Sequence, residues 1–242
     1  MTTTNAVDKD RPVALITGAS AGLGLALAHG LADRGWALVI DARGVDALDT
    51  AASALSAKTE VVAVAGDITG PVHRAELAAA VARLGRLDLL VNNASHLGPS
   101  PQPRLADYDL DELRRVYEVD VFAPIALIQQ VLPALRESEG VIIDVSSDAA
   151  VEPYEGWGGY GSAKAALDHA TAILAAEQPA LRVYAVDPGD MRTAMHQAAF
   201  PGEDISDRPE PEASVPGFLQ LLDTRPASGR YKAAELVPAV TS

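Results

Sequence analysis

Three side chains in the second half of this chain have the types and spacing of a proton-transfer site. Tyr160 and Lys164 stand four residues apart in the run Tyr160, Gly161, Ser162, Ala163, Lys164. In a helix beginning near Gly158, residues four apart share a face, so the phenol and the ammonium point the same way. A free tyrosine ionises at about pH 10, too high for acid-base work at neutral pH, and a neighbouring cation is expected to lower that value. Ser147 precedes Tyr160 by thirteen residues and follows the apolar run Val141 to Val145. That places it at the C-terminal tip of a strand, where α/β proteins put their chemistry. Ser146 is expected to face the other side of the strand and to be structural. A tyrosine and a lysine at this spacing are also what an ordinary surface contact looks like, so the pair gains meaning only beside a cofactor site.

The start of the chain supplies one. Val13 to Thr17 reads as a short strand, followed at once by Gly18, Ala19, Ser20, Ala21, Gly22, Leu23, Gly24 and a helical pattern. Gly18 permits the tight turn, Gly22 lets backbone approach a pyrophosphate, and Gly24 lets the helix pack closely, while free amides at the helix start receive the anion.

Taken together, Thr17, Gly18, Gly22 and Gly24, then Asn92, Asn93 and Ala94, then Ser147, Tyr160 and Lys164, then Pro188, Gly189 and Thr193 resemble the motifs of the short-chain dehydrogenase/reductase family. That resemblance implies hydride transfer between a nicotinamide and a carbonyl or secondary alcohol. Tyr160 would be the acid-base, Ser147 would hold the substrate oxygen, and Lys164 would lower the tyrosine pKa and bind the nicotinamide ribose. It implies a dinucleotide held by Gly18, Ser20, Gly22, Leu23, Gly24, Asp67, Ile68, Asn93, Ala94, Tyr160, Lys164, Pro188, Gly189 and Thr193. Cofactor choice is read after the second strand, where the family's acidic, NAD-selecting position falls on Ala42 and is followed by Arg43. This favours NADP over NAD, with Asp41 as the opposing feature: its carboxylate either reaches the ribose or merely finishes the strand. The chain departs from the family at Asp120, where an asparagine is usual, and at Ser95, where glycine is usual. An ionised Asp120 cannot donate a hydrogen bond and could pair with Lys164, so it is included among the catalytic candidates. The alternatives are an NAD-dependent alcohol dehydrogenase of the same family, or a catalytically weak nucleotide-binding sensor.

The elements that must position these residues alternate strand and helix throughout: helix 23–34, strand 37–40, helix 45–57, strand 61–65, helix 71–84, strand 87–91, a long helix 109–135, strand 141–145, helix 158–177 and strand 181–186. Short apolar strands without strict alternation imply a parallel sheet covered on both faces, hence a single doubly wound Rossmann-fold domain over 12–242 after a tail, 1–11. The resemblance implies about seven strands in the order 3-2-1-4-5-6-7, the last near Gly229 to Lys232. The Pro-rich stretch 200–216 reads as an insertion covering the site. At 242 residues and 48% hydrophobic content, the chain can bury one large core. A net charge of −14 argues against nucleic acid or an anionic membrane as partner. No cysteine is present, which excludes disulfides and thiolate metal sites. No signal peptide and no apolar run of membrane-spanning length are read, so the cytoplasm is the expected compartment. His96, Tyr154, Trp157, Met191, Met195 and Phe200 are the pocket candidates. His96 and His196 lack metal-ligand companions, so no metal is expected. The resemblance further implies a homodimer or homotetramer, with Ala165, Ala166, Ala172 and Ala176 on a helix that packs against either a partner or the sheet.

Overall fold

The central strands of the sheet, apolar runs of four to six residues, are covered on both faces because each side of the sheet has its own helical layer. The edge strands are partly exposed. A computed structural model describes residues 11–237, so the expected tail lies outside the described residues apart from Arg11. The strands are β1 (Val13–Ile16), β2 (Ala37–Ala42), β3 (Val61–Ala65), β4 (Leu89–Asn92), β5 (Val141–Val145), β6 (Arg182–Asp187) and β7 (Gly229–Lys232). All pair in parallel, in the order β3-β2-β1-β4-β5-β6-β7. On one face Ile16, Ile40, Val91 and Ile143 pack under α1 (Gly22–Ala32) and, further along the chain, under Phe218 and Leu221. On the other, Leu15, Val39, Leu90 and Ile142 pack under α3 (Pro71–Leu84), which follows α2 (Val45–Ser56), and under Leu127 and Val131. Successive strand residues go to opposite layers, and both layers are apolar, which is why the strands show no polar alternation. β1 and β4 are neighbours but not consecutive, so the chain runs away from them in opposite directions and opens a crevice at their carboxyl ends.

The long helix expected over 109–135 is interrupted. It runs as α4 (Leu110–Tyr117), a π turn over Glu118–Phe122, and α5 (Ala123–Glu137). Residue 124 is proline and has no N–H for the carbonyl of Asp120, while the amide of Ala123 reaches back to Glu118. The helix therefore widens at Asp120 and leaves a main-chain acceptor without its helical donor. Because α4 and α5 continue through this turn, Leu110–Glu137 is long and apolar enough by length and composition to cross a membrane, against the sequence expectation. Its apolar side chains, Leu127, Ile128, Val131 and Leu135, are packed in the core.

After β5 the chain forms α6 (Gly158–Glu177), and after β6 come α7 (Ala194–Ala199) and α8 (Val215–Thr224), with α9 (Ala233–Leu236) after β7. The stretch 200–216 contributes no residue to the lining of the cavity at this crevice, and it is tied down by Arg192 N–H donating to Pro209, Ser214 Oγ donating to Pro188, and Val215 buried under α1.

One polar tie runs through the middle of the sheet. Asn92 Nδ2 and Thr171 Oγ1 each donate to Asp144, both at 2.7 Å, joining β4, β5 and α6 around a carboxyl group that is 1% exposed. Burial holds the Asp144 carboxyl above the usual carboxylate range, although both hydrogen bonds and Lys164 oppose the shift. An asparagine at this position keeps the Asn92 bond, and its amide can donate to Thr171 Oγ1 while that hydroxyl still donates to Leu167. Asp144→Asn is therefore expected to fold, and to gain stability over the native chain as pH rises. A raised folded-state pKa means that the native protein loses stability as pH rises from the unfolded value of about 4 to the folded value, because the unfolded state ionises first, and the loss is absent below the unfolded value. Urea unfolding at pH 5 and pH 8 should show the gap widening; equal gaps would show that Asp144 is not the group responsible.

Candidate active site

The crevice between β1 and β4 leads into a cavity of about 1070 Å³. Its floor is the loop from β1 to α1. Gly18 and Gly22 adopt φ of 64° and 54°, a conformation that strains other residues, and a Cβ on Gly24 would lie 2.5 Å from both the Gly18 carbonyl and the Asn93 side chain. The loop is held from below: Asn93 Nδ2 donates to the carbonyls of Thr17 (2.8 Å) and Gly18 (3.1 Å), and Thr17 Oγ1 accepts from the amides of Asn93 and Ala94. No side chain caps α1, whose first residue after Ala21 opens onto the cavity. Uncapped helix amides beside a cradle that a side chain would fill suit an anionic phosphate.

Asp41 supports this loop from within the cavity wall. It is 2% exposed; one carboxylate oxygen accepts from the amide of Gly18 at 2.7 Å and the other meets His73 Nε2 at 2.9 Å, while its carbonyl accepts from Ala19. β2 runs on to Ala42, so Asp41 lies inside the strand, and it lines the cavity together with Ala42, Arg43 and Gly44, which follow it to the rim. Arg43 has no hydrogen-bond or ion-pair partner among the described residues. Asp67, at the end of β3, accepts from the amide and hydroxyl of Thr69, and the amide bond in particular holds its carboxyl below its ordinary value.

At the other end of the cavity, α6 carries Tyr160 and Lys164 on one face. The ammonium lies 5.4 Å from the centre of the tyrosine ring and donates to the carbonyl of Val145 at 2.9 Å. Lys164 is 2% exposed. Burial works against its charge, but Tyr160, Asp120, Asp168 and Asp144 together raise its pKa above the ordinary value. The expected lowering of the Tyr160 pKa does not prevail. Lys164 does pull it down, yet burial is the larger effect and, with Asp120 adding to it, leaves the phenol above its usual value. Ser147 caps the short turn Asp148–Ala150, accepting from Ala149 N–H and donating to Asp148 at 3.0 Å. Ser146 donates to Asp168 at 2.8 Å, the structural role expected of it.

The cavity is lined by Gly18, Ser20, Gly22, Leu23, Arg43, Asp67, Ile68, Asn93, Ala94, Ser147, Tyr160, Lys164, Pro188, Gly189 and Thr193. Thus one wall of chemistry meets one dinucleotide-sized cradle. Two of the expected residues stand behind the wall. Gly24 makes room for Asn93 and the loop carbonyl, and Asp120 is fully buried, with Oδ1 accepting from the amide of His96 at 2.9 Å and Oδ2 making no hydrogen bond. Burial raises the Asp120 carboxyl, with Lys164 and the His96 amide opposing. The Ser95 hydroxyl lies beside both Asp120 and Tyr160 and favours their charged forms, without a fully formed hydrogen bond. Among the pocket candidates His96, Trp157, Met191 and Met195 line the cavity. Tyr154 is instead 48% exposed and donates to Asp148, and Phe200 packs behind, on Trp157 and His196. Among the described residues no metal-binding cluster of histidine and acidic residues is present.

Two arginines were not legible in the motifs. Arg115 of α4 lines the cavity one turn before Val119, has no ion-pair partner among the described residues, and acts with Arg43 on Asp67 and His96. Arg230 of β7 does not line the cavity but donates to the main chain of Ser147. The i, i+4 spacing of Arg115 and Val119 was the available signal for the first; nothing local marks the second.

Comparison with known proteins agrees with this geometry. The family described as short chain dehydrogenase matches residues 12–204. Mouse sepiapterin reductase is 34% identical over 201 residues, 77% of each chain, and the benzil reductase ((S)-benzoin forming) of Saccharomyces cerevisiae is 31% identical over 218 residues, 86% of this chain and 80% of that one. Among solved structures, the alcohol dehydrogenase of the archaeon Thermococcus sibiricus, complexed with 5-hydroxy-NADP, superposes with a TM-score of 0.83 at 27% identity, covering 92% of this chain and 96% of that one. The matched segment carries the glycine loop, the Asn-Asn-Ala turn, Ser147, Tyr160, Lys164 and Thr193, and this chain belongs to the short-chain dehydrogenase family of oxidoreductases.

Proposed function

We propose that this protein is an NADP(H)-dependent carbonyl reductase or alcohol dehydrogenase in which Tyr160 is the acid-base. The observation that carries the reading is that the tyrosine, Ser147 and Lys164 share one cavity with the uncapped start of α1 and its glycine cradle. The dinucleotide, when bound, supplies the hydride. The amides at the start of α1 would hold its pyrophosphate, and Lys164, itself held by the Val145 carbonyl, would hold its nicotinamide ribose. Ser147 holds the substrate oxygen and Tyr160 gives it a proton. Burial holds the Tyr160 phenol above its ordinary value, which suits it to give a proton to the carbonyl oxygen in the reductive direction. Trp157, Met191, Met195 and Leu97 around the tyrosine suit an apolar substrate.

The NADP preference rests on Asp41 and Arg43. The carboxylate that could oppose a 2′-phosphate is occupied by Gly18 and His73, and the unpartnered guanidinium of Arg43 stands at the rim with Arg115 beyond it. A charge-assisted bond to phosphate is the strong kind, so Arg43→Ala is expected to weaken NADPH binding by about tenfold or more and NADH binding hardly at all. Fluorescence titration of both cofactors checks this; equal losses would remove the phosphate role.

Tyr160→Phe is expected to cut turnover by at least about 100-fold while NADPH still binds, because the phenol acts on the proton and not on the dinucleotide's anchorage. Activity across a carbonyl panel with NADPH tests it, and a wild-type protein that binds NADPH yet oxidises none with any carbonyl would favour the sensor reading.

Asp120 predicts a pH signature. Below its raised pKa the carboxyl is neutral; as pH rises through that value a carboxylate appears beside Lys164 and pushes Tyr160 further up. The pH profile of kcat/KM for carbonyl reduction should therefore show an inflection above the ordinary carboxylate range that Asp120→Asn removes. Identical profiles would make Asp120 a bystander.

A further inference from the structure

The strand farthest from the glycine loop reaches back to the reacting residues through one side chain. Arg230, in the edge strand β7, is 25% exposed at its side chain, and its guanidinium holds three acceptors at once. Nη2 donates to the main-chain carbonyl of Ser147 at 2.8 Å and lies 3.5 Å from Asp187 Oδ2; Nε donates to Asp168 Oδ2 at 3.0 Å. Each acceptor belongs to a different piece of the site. Ser147 is the serine assigned to the substrate oxygen. Asp168 lies one helical turn beyond Lys164, and the same oxygen accepts from Ser146 Oγ. Asp187 accepts from the amide of Gly189, in the Pro-Gly segment that lines the cavity. A planar guanidinium fixes donors in set directions, so it can hold β5, α6 and β6 in one register where a flexible ammonium cannot.

We infer that Arg230 is a positioning residue of the active site, fixing the Ser146–Ser147 main chain so that the Ser147 hydroxyl is presented beside Tyr160. Its guanidinium is not part of the cavity lining and is taken up by Ser147, Asp168 and Asp187. Ser147 needs such support because its hydroxyl already bonds locally, to Asp148 and Ala149. A main chain free to shift there would carry the hydroxyl with it, and misplacement on that scale is costly to a reaction that depends on orientation.

This inference rests on the reading of Ser147 and Tyr160 given above, and a double-mutant cycle tests it. In NADPH-dependent reduction of benzil, Arg230→Gln is expected to lose about tenfold in kcat, with NADPH affinity within about twofold of the native value. In a Ser147→Ala background the same substitution should cost less than about twofold more, since its effect passes through Ser147. A full further tenfold loss in that background, a loss expressed only as weaker NADPH binding, or an unchanged kcat in the folded variant each overturns the inference. Arg230→Lys, which keeps the charge without the fork, should lie between the two and replaces the glutamine variant in the cycle if that one does not fold. Hydrogen exchange by mass spectrometry needs no substrate: Arg230→Gln, or Arg230→Lys in its place, should speed exchange in residues 146–150 by about tenfold or more. Unchanged exchange there sinks the inference, whereas accelerated exchange in a protein that reduces no carbonyl sinks only the oxidoreductase reading on which it was built.

Discussion

A single buried ammonium group holds the active end of this molecule together. Lys164 is 2% exposed, donates to the carbonyl of Val145, and lies under the influence of Tyr160 and three aspartates, Asp120, Asp144 and Asp168. A lone ammonium taken out of water would shed its proton; here the surrounding acids outweigh the cost of burial and keep the charge. The acids in turn are raised by their own burial, and each has a separate anchor: the amide of His96 for Asp120, Asn92 and Thr171 for Asp144, Ser146 and Arg230 for Asp168. These anchors come from different elements, so charge balance around one lysine also sets how β4, β5, α6 and β7 meet.

This arrangement explains why a tyrosine beside a lysine need not have a lowered pKa. The phenol is buried, and a carboxyl group shares the space with the ammonium, so attraction to Lys164 is partly cancelled before it is felt. The result is a phenol held above its ordinary value despite the ammonium beside it. Asp120 is the variable part of the balance. It stands where the family usually has an amide, at a turn that Pro124 widens, with one carboxylate oxygen unpartnered.

At the glycine loop the same economy of support appears. Asp41 and Asn93 are polar residues at the rim of a cofactor crevice, and both face the loop from behind. A carboxylate between Gly18 and His73 keeps the turn in a conformation with φ of 64° at Gly18, and the Asn93 amide fills the space that the absent side chain of Gly24 leaves. The cations of the cavity wall beyond Lys164 are Arg43 and, from α4, Arg114 and Arg115.

Much of this was written in local sequence. Periodicity, glycine spacing and proline placement determined the alternation of strand and helix, the parallel sheet and the cradle, because these depend on interactions between residues a few positions apart. The motifs likewise named Ser147, Tyr160 and Lys164. Local signals did not tell whether Asp41 faced a ribose or the loop, whether Lys164 or burial would rule the tyrosine, or that a single proline would break the long helix into a π turn at Asp120. Apart from the proline, which is local to Asp120, these outcomes turn on atoms far apart in the chain: His73 lies 32 residues from Asp41, and the Arg230 support of Ser147 spans 83. Hydrogen bonds of that kind exist only once the sheet is assembled, and burial, which decides each pKa direction here, belongs to the packed whole and not to any segment of it.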